Sequence, residues 1–247
     1  MDNAYARAVR QRETATTQRV LVSGIYRDAT QMLAARDELA RSTHRLEWAL
    51  GAMGDTSPEL EAETVATQLS AGKFQNINAL LDLAGHDYDW LLLLDDDIDL
   101  PPGFLDRMVA VSTRLDFALS QPAQTRQSHA NWSVTRRRAL RVARQTRFVE
   151  IGPATLVRRD AAQLLLPFPP DLRYGWGLDF HWAHVMAEAG LRSGVVDSAA
   201  VVHASQPVAS TYSWDAAQEE GRAFLASVPH LPTDIAHQTV RSHRYLR

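Results

Sequence analysis

The stretch Trp90-Leu91-Leu92-Leu93-Leu94-Asp95-Asp96-Asp97-Ile98-Asp99 decides how this chain is read. Four consecutive leucines carry neither a helical nor an alternating period, and a run of this length suits a strand buried on both faces of a parallel sheet. One residue later the chemistry inverts, with carboxylates at 95, 96, 97 and 99. Two carboxylates ~4 Å apart repel by ~4 kcal/mol at an effective dielectric of about 20. A packed cluster of them at a strand end therefore takes up protons, spreads apart or holds a cation. Ligands of open α/β sheets bind beyond the carboxyl ends of strands. The expectation is a hard divalent ion, Mg2+ or Mn2+, on oxygen ligands, with a solvated acidic turn capping the next helix as the plainer alternative. A calcium loop does not fit. Asp95, Asp97, Asp99 and Asp106 fall at its first, third, fifth and twelfth positions, but Leu100 stands where that loop needs Gly and two prolines follow.

Upstream of this stretch, Arg19 to Gly24 reads as a first strand, and Ile25, Tyr26 and Arg27 lie at its exit, where a nucleotide could rest. A helical pattern over 29–40 and a strand over 44–50 follow. After a turn at 51–55, Thr56 or Ser57 with Pro58 signals a helix start, and Gly72 breaks that helix. A further helix runs from Lys73 to Ala84, with Phe74, Ile77, Leu81 and Ala84 on its buried face. Lys73 and Asn76 share a different face at its N-terminal end, a place to meet phosphate or a base edge.

Downstream, a helix over 103–115 and a strand over 117–121 are expected. Arginines at 136, 137, 138, 141, 144 and 147 then crowd one segment, and Arg137, Arg141 and Arg144 would share a helical face. That face is either solvated or a basic rim for an anionic substrate. Residues 148–159 read as strand broken at Gly152-Pro153, and 161–166 as a short helix. A loop rich in Pro, Gly and aromatics leads to Gly175-Trp176-Gly177-Leu178-Asp179. Leu178, Trp182, Val185, Met186 and Ala189 form an apolar stripe, so a helix opens near Leu178 with Asp179 in its first turn, where the helix dipole favours a carboxylate. Residues 195–203 make a last core strand ending on His203, and one more helix lies between Trp214 and Leu225. His181 and His184 have one-turn spacing but no third zinc ligand.

A chain of 247 residues, 45% apolar and 22% charged, can bury a sizeable core as one α/β domain. A net charge of −3 predicts no general affinity for nucleic acid or membrane surfaces. The absence of cysteine excludes disulfides and thiolate zinc sites. The polar first residues hold no apolar signal core, and no apolar run reaches membrane-spanning length. A cytoplasmic protein is the expectation, without repeats or low-complexity segments.

Three parts recur in order: an apolar strand ending in Asp95-x-Asp97, the Gly-Trp-Gly-Leu-Asp loop opening a helix, and a late strand ending on His203. With Arg158-Arg159 and the Phe168 to Asp171 turn between them, the chain resembles a GT-A-fold glycosyltransferase of the family-2-like nucleotide-sugar transferases. The resemblance covers about residues 18–205. It implies a single Rossmann-like domain with a mostly parallel mixed sheet flanked by helices over 18–205. Outside it, the polar residues 1–17 read as an arm and 206–247 as a helical tail, for which a lid over the acceptor is one role. The resemblance also implies a nucleotide-sugar donor, a hydroxyl-bearing small-molecule or glycan acceptor, and Mn2+ or Mg2+. Asp97 would bind the metal, with Asp95 and His203 as further contacts. Ile25, Tyr26, Arg27, Lys73, Asn76, Asp95 and Asp96 would face the donor. Asp179 would be the base of an inverting transfer, and Trp176 and Gly177 would meet the acceptor. Leu178 stands where the family commonly carries a second acid. The competing readings are a nucleotidyltransferase, which a single glycine after the first strand suits poorly, and a non-catalytic nucleotide-sugar-binding module.

Overall fold

A computed structural model describes residues 16–85, 87–203 and 213–246. The arm expected at the N-terminus therefore lies almost wholly outside the described residues, as does the segment following His203. The leucine run is strand β4 (Trp90–Asp95), and it is buried on both faces. Trp90, Leu92 and Leu94 point into one apolar layer, while Leu91 and Leu93 point into the other. Absence of any period in the run is thus the imprint of two cores. β1 (Arg19–Tyr26) lies parallel beside β4, with Ile25 opposite Asp95, and β2 (Arg45–Ala52) lies parallel on its other side.

The first layer packs α1 (Ala29–Leu39) and α3 (Phe104–Leu115) on the sheet through Met32, Leu39, Phe104 and Met108. The second packs α2 (Lys73–Ala84), α4 (Arg159–Leu165) and α5 (Leu178–Glu188) on it through Phe74, Ile77, Ala161 and Trp182. Helices on both faces of one sheet define the α/β class.

The remaining strands are β3 (Thr64–Ala66), β5 (Ile98–Asp99), β6 (Phe117–Gln124), β7 (Ala143–Thr146), β8 (Ala154–Arg158), β9 (Arg192–His203) and β10 (Thr239–His243). Their order is β10-β7-β9-β6-β8-β4-β1-β2-β3, with β5 paired to β9 alone. β3, β2, β1, β4, β6 and β9 share one direction, and β8 and β7 oppose it. The sheet is mixed and mostly parallel, as expected. α6 (Trp214–Ser227) and the single turn α7 (Thr233–Ala236) precede β10. Among the described residues, no helix is long and apolar enough to cross a membrane.

Three expectations are corrected. No long helix follows Pro58: residues 58–60 make a 3-10 turn, and the β-branched Thr64-Val65 pair enters β3 at the edge of the sheet. The Thr64 hydroxyl, bonded to the Leu60 carbonyl at 2.7 Å and to the Tyr26 hydroxyl at 2.9 Å, fixes this turn against β1. The arginine-rich segment forms no helix either, since 143–146 is strand. Lastly, the tail is not helical throughout, because β10 adds an antiparallel edge strand on β7.

Candidate active site

The acidic exit of β4 turns back within two residues. β5 pairs antiparallel with β9, placing Ile98 opposite His203. This hairpin-like return sets His203 Nε2 3.0 Å from Asp97 Oδ2. Behind it, the Ser128 hydroxyl accepts from the His203 N–H at 3.0 Å, and the His129 N–H donates to the His203 carbonyl at 2.8 Å.

Each acid of the triplet has found a partner of its own. Asp95 pairs with Lys73, which also donates to the Ile151 carbonyl at 3.0 Å. Asp96 accepts from the Arg27 N–H at 2.7 Å. Asp97 takes His203. Three separate groups, an ammonium, a backbone N–H and an imidazole, thus answer the three acids. Burial raises the pKa of Asp96, opposed by the Arg27 N–H and reinforced by Asp95 and Asp97. Burial opposes a charge on His203, yet the hydrogen bond and field of Asp97, with Asp95 and Glu150, outweigh it and hold its pKa above the ordinary value.

The set fits a divalent ion. One carboxylate and one imidazole nitrogen at contact distance, on a partly open rim, suit ions that keep waters and take substrate phosphates as further ligands. The expected trio of Asp97, Asp95 and His203 is not assembled, however. Among the described residues no three His, Cys, Asp or Glu side chains lie close enough to hold an ion together, and Asp95 is paired with Lys73. Asp97 and His203 are the pair that would hold it.

Gly152 lets the backbone approach this cluster. A Cβ there would lie 2.9 Å from Asp95 Oδ2 and 3.4 Å from Lys73 Nζ. The Asp95 N–H donates to the Pro153 carbonyl at 2.8 Å, so the turn before β8 is stitched to the acidic rim.

Asp179 sits in the first turn of α5 and is 5% exposed. Burial pushes its pKa up to about 7, against the pull of its own N–H and that of Phe180, which donates to Oδ1 at 3.0 Å. The loop before it needs its glycines: Gly175 and Gly177 have φ of +79° and +90°, values that disfavour any side chain. Trp176, between them, packs edge-on to Trp214 of α6 with ring centroids 4.7 Å apart and covers Gly221. From the same helix, Glu220 accepts hydrogen bonds from the N–H groups of Arg173, Tyr174 and Gly175 at 2.8, 2.8 and 3.1 Å.

Other expected residues are placed differently. Tyr26 is 2% exposed and its hydroxyl is engaged by Thr64, so its side chain is a packing group and not a donor contact. Asn76, 5% exposed, donates to the Ala71 carbonyl at 3.0 Å and pins the approach to α2. Ile25 packs in the second apolar layer, and Arg27 is exposed beside Met53. The arginine-rich segment is no anion rim around Arg144. That residue is 1% exposed and binds Asp197 through two hydrogen bonds of 2.9 and 3.1 Å.

One residue of the site escaped the sequence reading: Glu150, 9% exposed, whose surroundings include Asp179 and His203. The available signal was a single acid inside the apolar stretch Phe148-Val149-Glu150-Ile151. A separate cavity of about 290 Å3, lined by Asn78, Tyr88 and Arg159 among others, lies near the opposite end of β4 from the acids.

No family model matches the sequence, and no curated protein does so. Solved structures match in fold. GalNAc-T7 with UDP, GalNAc and Mn2+ superposes with a TM-score of 0.56 at 12% identity, over 76% of this chain and 43% of that one. TarS 1–349 of S. aureus in complex with UDP-GlcNAc gives 0.54 at 12% identity, over 75% of this chain and 57% of that one. A longer S. aureus TarS gives 0.53 at 13% identity, over 75% and 36%. This chain therefore spans less than two thirds of each. Its fold is of the GT-A glycosyltransferase type, the class that the resemblance in its motifs implied.

Proposed function

We propose that this chain is a metal-dependent glycosyltransferase that moves a sugar from a nucleotide-sugar donor to a hydroxyl acceptor, with inversion. The observation that carries the reading is the pairing of Asp97 with His203 at 3.0 Å on the carboxyl rim of a GT-A-type sheet. Asp179 adds a buried carboxyl on the first turn of α5. Of the similar folds, one was solved with UDP, GalNAc and Mn2+ and another with UDP-GlcNAc. A nucleoside-diphosphate sugar and Mn2+ or Mg2+ are the ligands proposed here by that analogy.

Asp97 and His203 would hold the ion, His203 through its Nε2, which now faces Asp97. The bound ion supplies Lewis-acid stabilisation of the departing diphosphate. Lys73, already at the rim, brings a positive charge to the same oxygens, and its release from Asp95 frees that carboxylate to face the sugar or ribose hydroxyls. Asp179, with a pKa near neutrality, suits a general base. It takes the acceptor's hydroxyl proton as that oxygen bonds the anomeric carbon and the bond to phosphate breaks, its electron pair leaving with the diphosphate. Glu220 and Trp214 hold the Gly175–Gly177 loop in place from α6, so this part of the chain after His203 acts as the support of the acceptor side.

The test is a panel of nucleotide sugars with and without Mn2+, read first by thermal shift and then by product analysis. Binding only the folded chain, the true donor raises its melting temperature. The expected result is a metal-dependent shift with one donor, followed by transfer with an inverted anomeric centre. Release of pyrophosphate would point instead to nucleotidyl transfer, and a retained anomeric configuration would remove Asp179 as base.

A further inference from the structure

The cavity at the far end of β4 from the acids has no task in the transfer chemistry. Its volume of about 290 Å3 lies near the lower bound of small-molecule sites, which run from ~300 to ~1,000 Å3. Tyr88 stands just before β4, and Arg159 directly follows Arg158, which pairs with Trp90 at the start of that strand. The cavity opens between α2 and α4, with Leu81, Ala162 and Leu166 as an apolar wall. Its frame is tied together before any ligand arrives. The Asn78 side chain of α2 donates to the Phe168 carbonyl at 2.8 Å and accepts from the Phe168 N–H at 2.9 Å, which fixes α2 to the chain leaving α4.

Three polar groups line this space without strong partners of their own. Tyr88 is 4% exposed, yet its hydroxyl makes no hydrogen bond among the described residues. Buried tyrosine hydroxyls usually find a partner, since leaving one unpaired is costly. Burial holds this phenol above its ordinary pKa, with the charge of Arg159 pulling the other way, so it stays a neutral donor. The Arg159 guanidinium meets only the exposed Asp87, at a long 3.9 Å. Its neighbour Arg158 is by contrast fully engaged, with three bonds of 2.8 Å to Asp116 and Asp160. Asp82 lies in the last turn of α2, which carries no basic residue, and it makes no hydrogen bond or ion pair among the described residues. A carboxylate at that end of a helix adds to the negative end of the dipole, so this wall favours a cation. Arg159 opposite favours an anion, in the bidentate geometry a carboxylate supplies.

We propose that this cavity binds a small zwitterion with an apolar body, of the class of the apolar α-amino acids. Its carboxylate accepts from Arg159 and from the Tyr88 hydroxyl, its ammonium faces Asp82 and the end of α2, and its side chain rests on Leu81, Ala162 and Leu166. A plain acid would leave Asp82 unanswered, a plain amine would leave Arg159 so, and a neutral apolar molecule would leave both. The inference goes beyond the transferase reading and does not depend on it.

The experiment is calorimetry on the full chain with L-leucine and L-phenylalanine, in the absence of nucleotide and metal. Each is compared with the same body carrying only the carboxylate (4-methylpentanoate, 3-phenylpropanoate) or only the ammonium (3-methylbutylamine, phenethylamine). At least one amino acid should bind saturably at one site, about tenfold or more tighter than either of its halves, the scale set by one hydrogen bond to a charged group. Arg159→Gln and Asp82→Asn, both at exposed positions, should each weaken that binding by about tenfold or more, and Tyr88→Phe by roughly threefold to tenfold. In 13C-methyl NMR the signals of Leu81, Ala162 and Leu166 should move on titration. Saturable binding of neither amino acid, a half-ligand that binds as tightly as the whole, or unchanged affinity in Arg159→Gln or Asp82→Asn would each overturn the assignment. The comparison of whole and half ligands needs only the wild type, so a variant that fails to fold leaves it decisive. Because no donor, metal or turnover enters the measurement, its outcome is independent of whether the chain transfers sugar.

Discussion

Two clusters of like charge stand out in this chain, four aspartates within 95–99 and six arginines within 136–147, and the fold treats them in opposite ways. At the acidic cluster it supplies single, replaceable partners: Lys73 for Asp95, one N–H for Asp96, His203 for Asp97. These carboxylates stay partly open to solvent on the rim. At the basic cluster it closes the account on Arg144, which binds Asp197 at two points and the carbonyls of Val134 and Arg136 at 2.7 and 2.8 Å. Charge density in a sequence therefore does not mark a ligand site. What marks it is charge that the fold leaves answerable by something else.

The comparison can be broken in several places. The largest effect belongs to Asp179→Asn, expected to lower turnover by roughly 100- to 10,000-fold, the usual worth of a general base, with metal-dependent donor binding kept. Steady-state kinetics and calorimetry check it; near-normal turnover would falsify the assignment. Arg144→Met comes next. It strands a buried Asp197 and should cost about 3–5 kcal/mol in denaturant unfolding. A loss of donor affinity at unchanged stability would instead restore the basic segment as a substrate rim. Asp97→Asn should weaken Mn2+-dependent binding of the donor's nucleoside diphosphate by at least about tenfold, and chelation of the wild type should do the same. Undiminished affinity in calorimetry would count against the Asp97–His203 pair. The smallest effect is that of Glu220→Gln, which weakens the hold on three N–H groups and should cost about 1–2 kcal/mol of stability while raising the KM for acceptor.

Stability against pH tests two buried acids that belong to neither cluster. Glu150 and Asp179 have pKa values raised by burial, so the folded chain favours their protonated forms. Their contribution is complete below the ordinary carboxylate range and is lost as pH rises through about 7 for Asp179 and about 8 for Glu150. Melting temperature should fall over that window, and Glu150→Gln should flatten the upper part of the decline. A melting temperature that rises through the same window would contradict both assignments.

Much of the frame was legible from residues alone. The unbroken leucine run placed β4, and the spacing of Phe74, Ile77 and Leu81 placed α2 within a residue of its ends. Gly175 and Gly177 marked the loop before Asp179. What failed did so for definable reasons. Ser57-Pro58 is a sound helix start, but Thr64 found a hydrogen-bond partner in Tyr26 and the edge of β2 offered a ladder, so tertiary contacts overrode the local signal. The segment carrying Arg144 looked helical because its arginines recur at helical spacing. Asp197 lies 53 positions further on, beyond any local pattern.

By itself, then, the sequence determined the elements whose information is local: periodicity, caps, turn glycines, and the abrupt change from apolar to acidic at Leu94-Asp95. Tertiary structure alone decided which charges remain available, since that depends on partners far apart in the chain. His203 reaches Asp97 across 106 positions, Lys73 pairs with Asp95, and Arg144 meets Asp197. Burial and electrostatic pairing act through space, and only the folded chain states who is near whom.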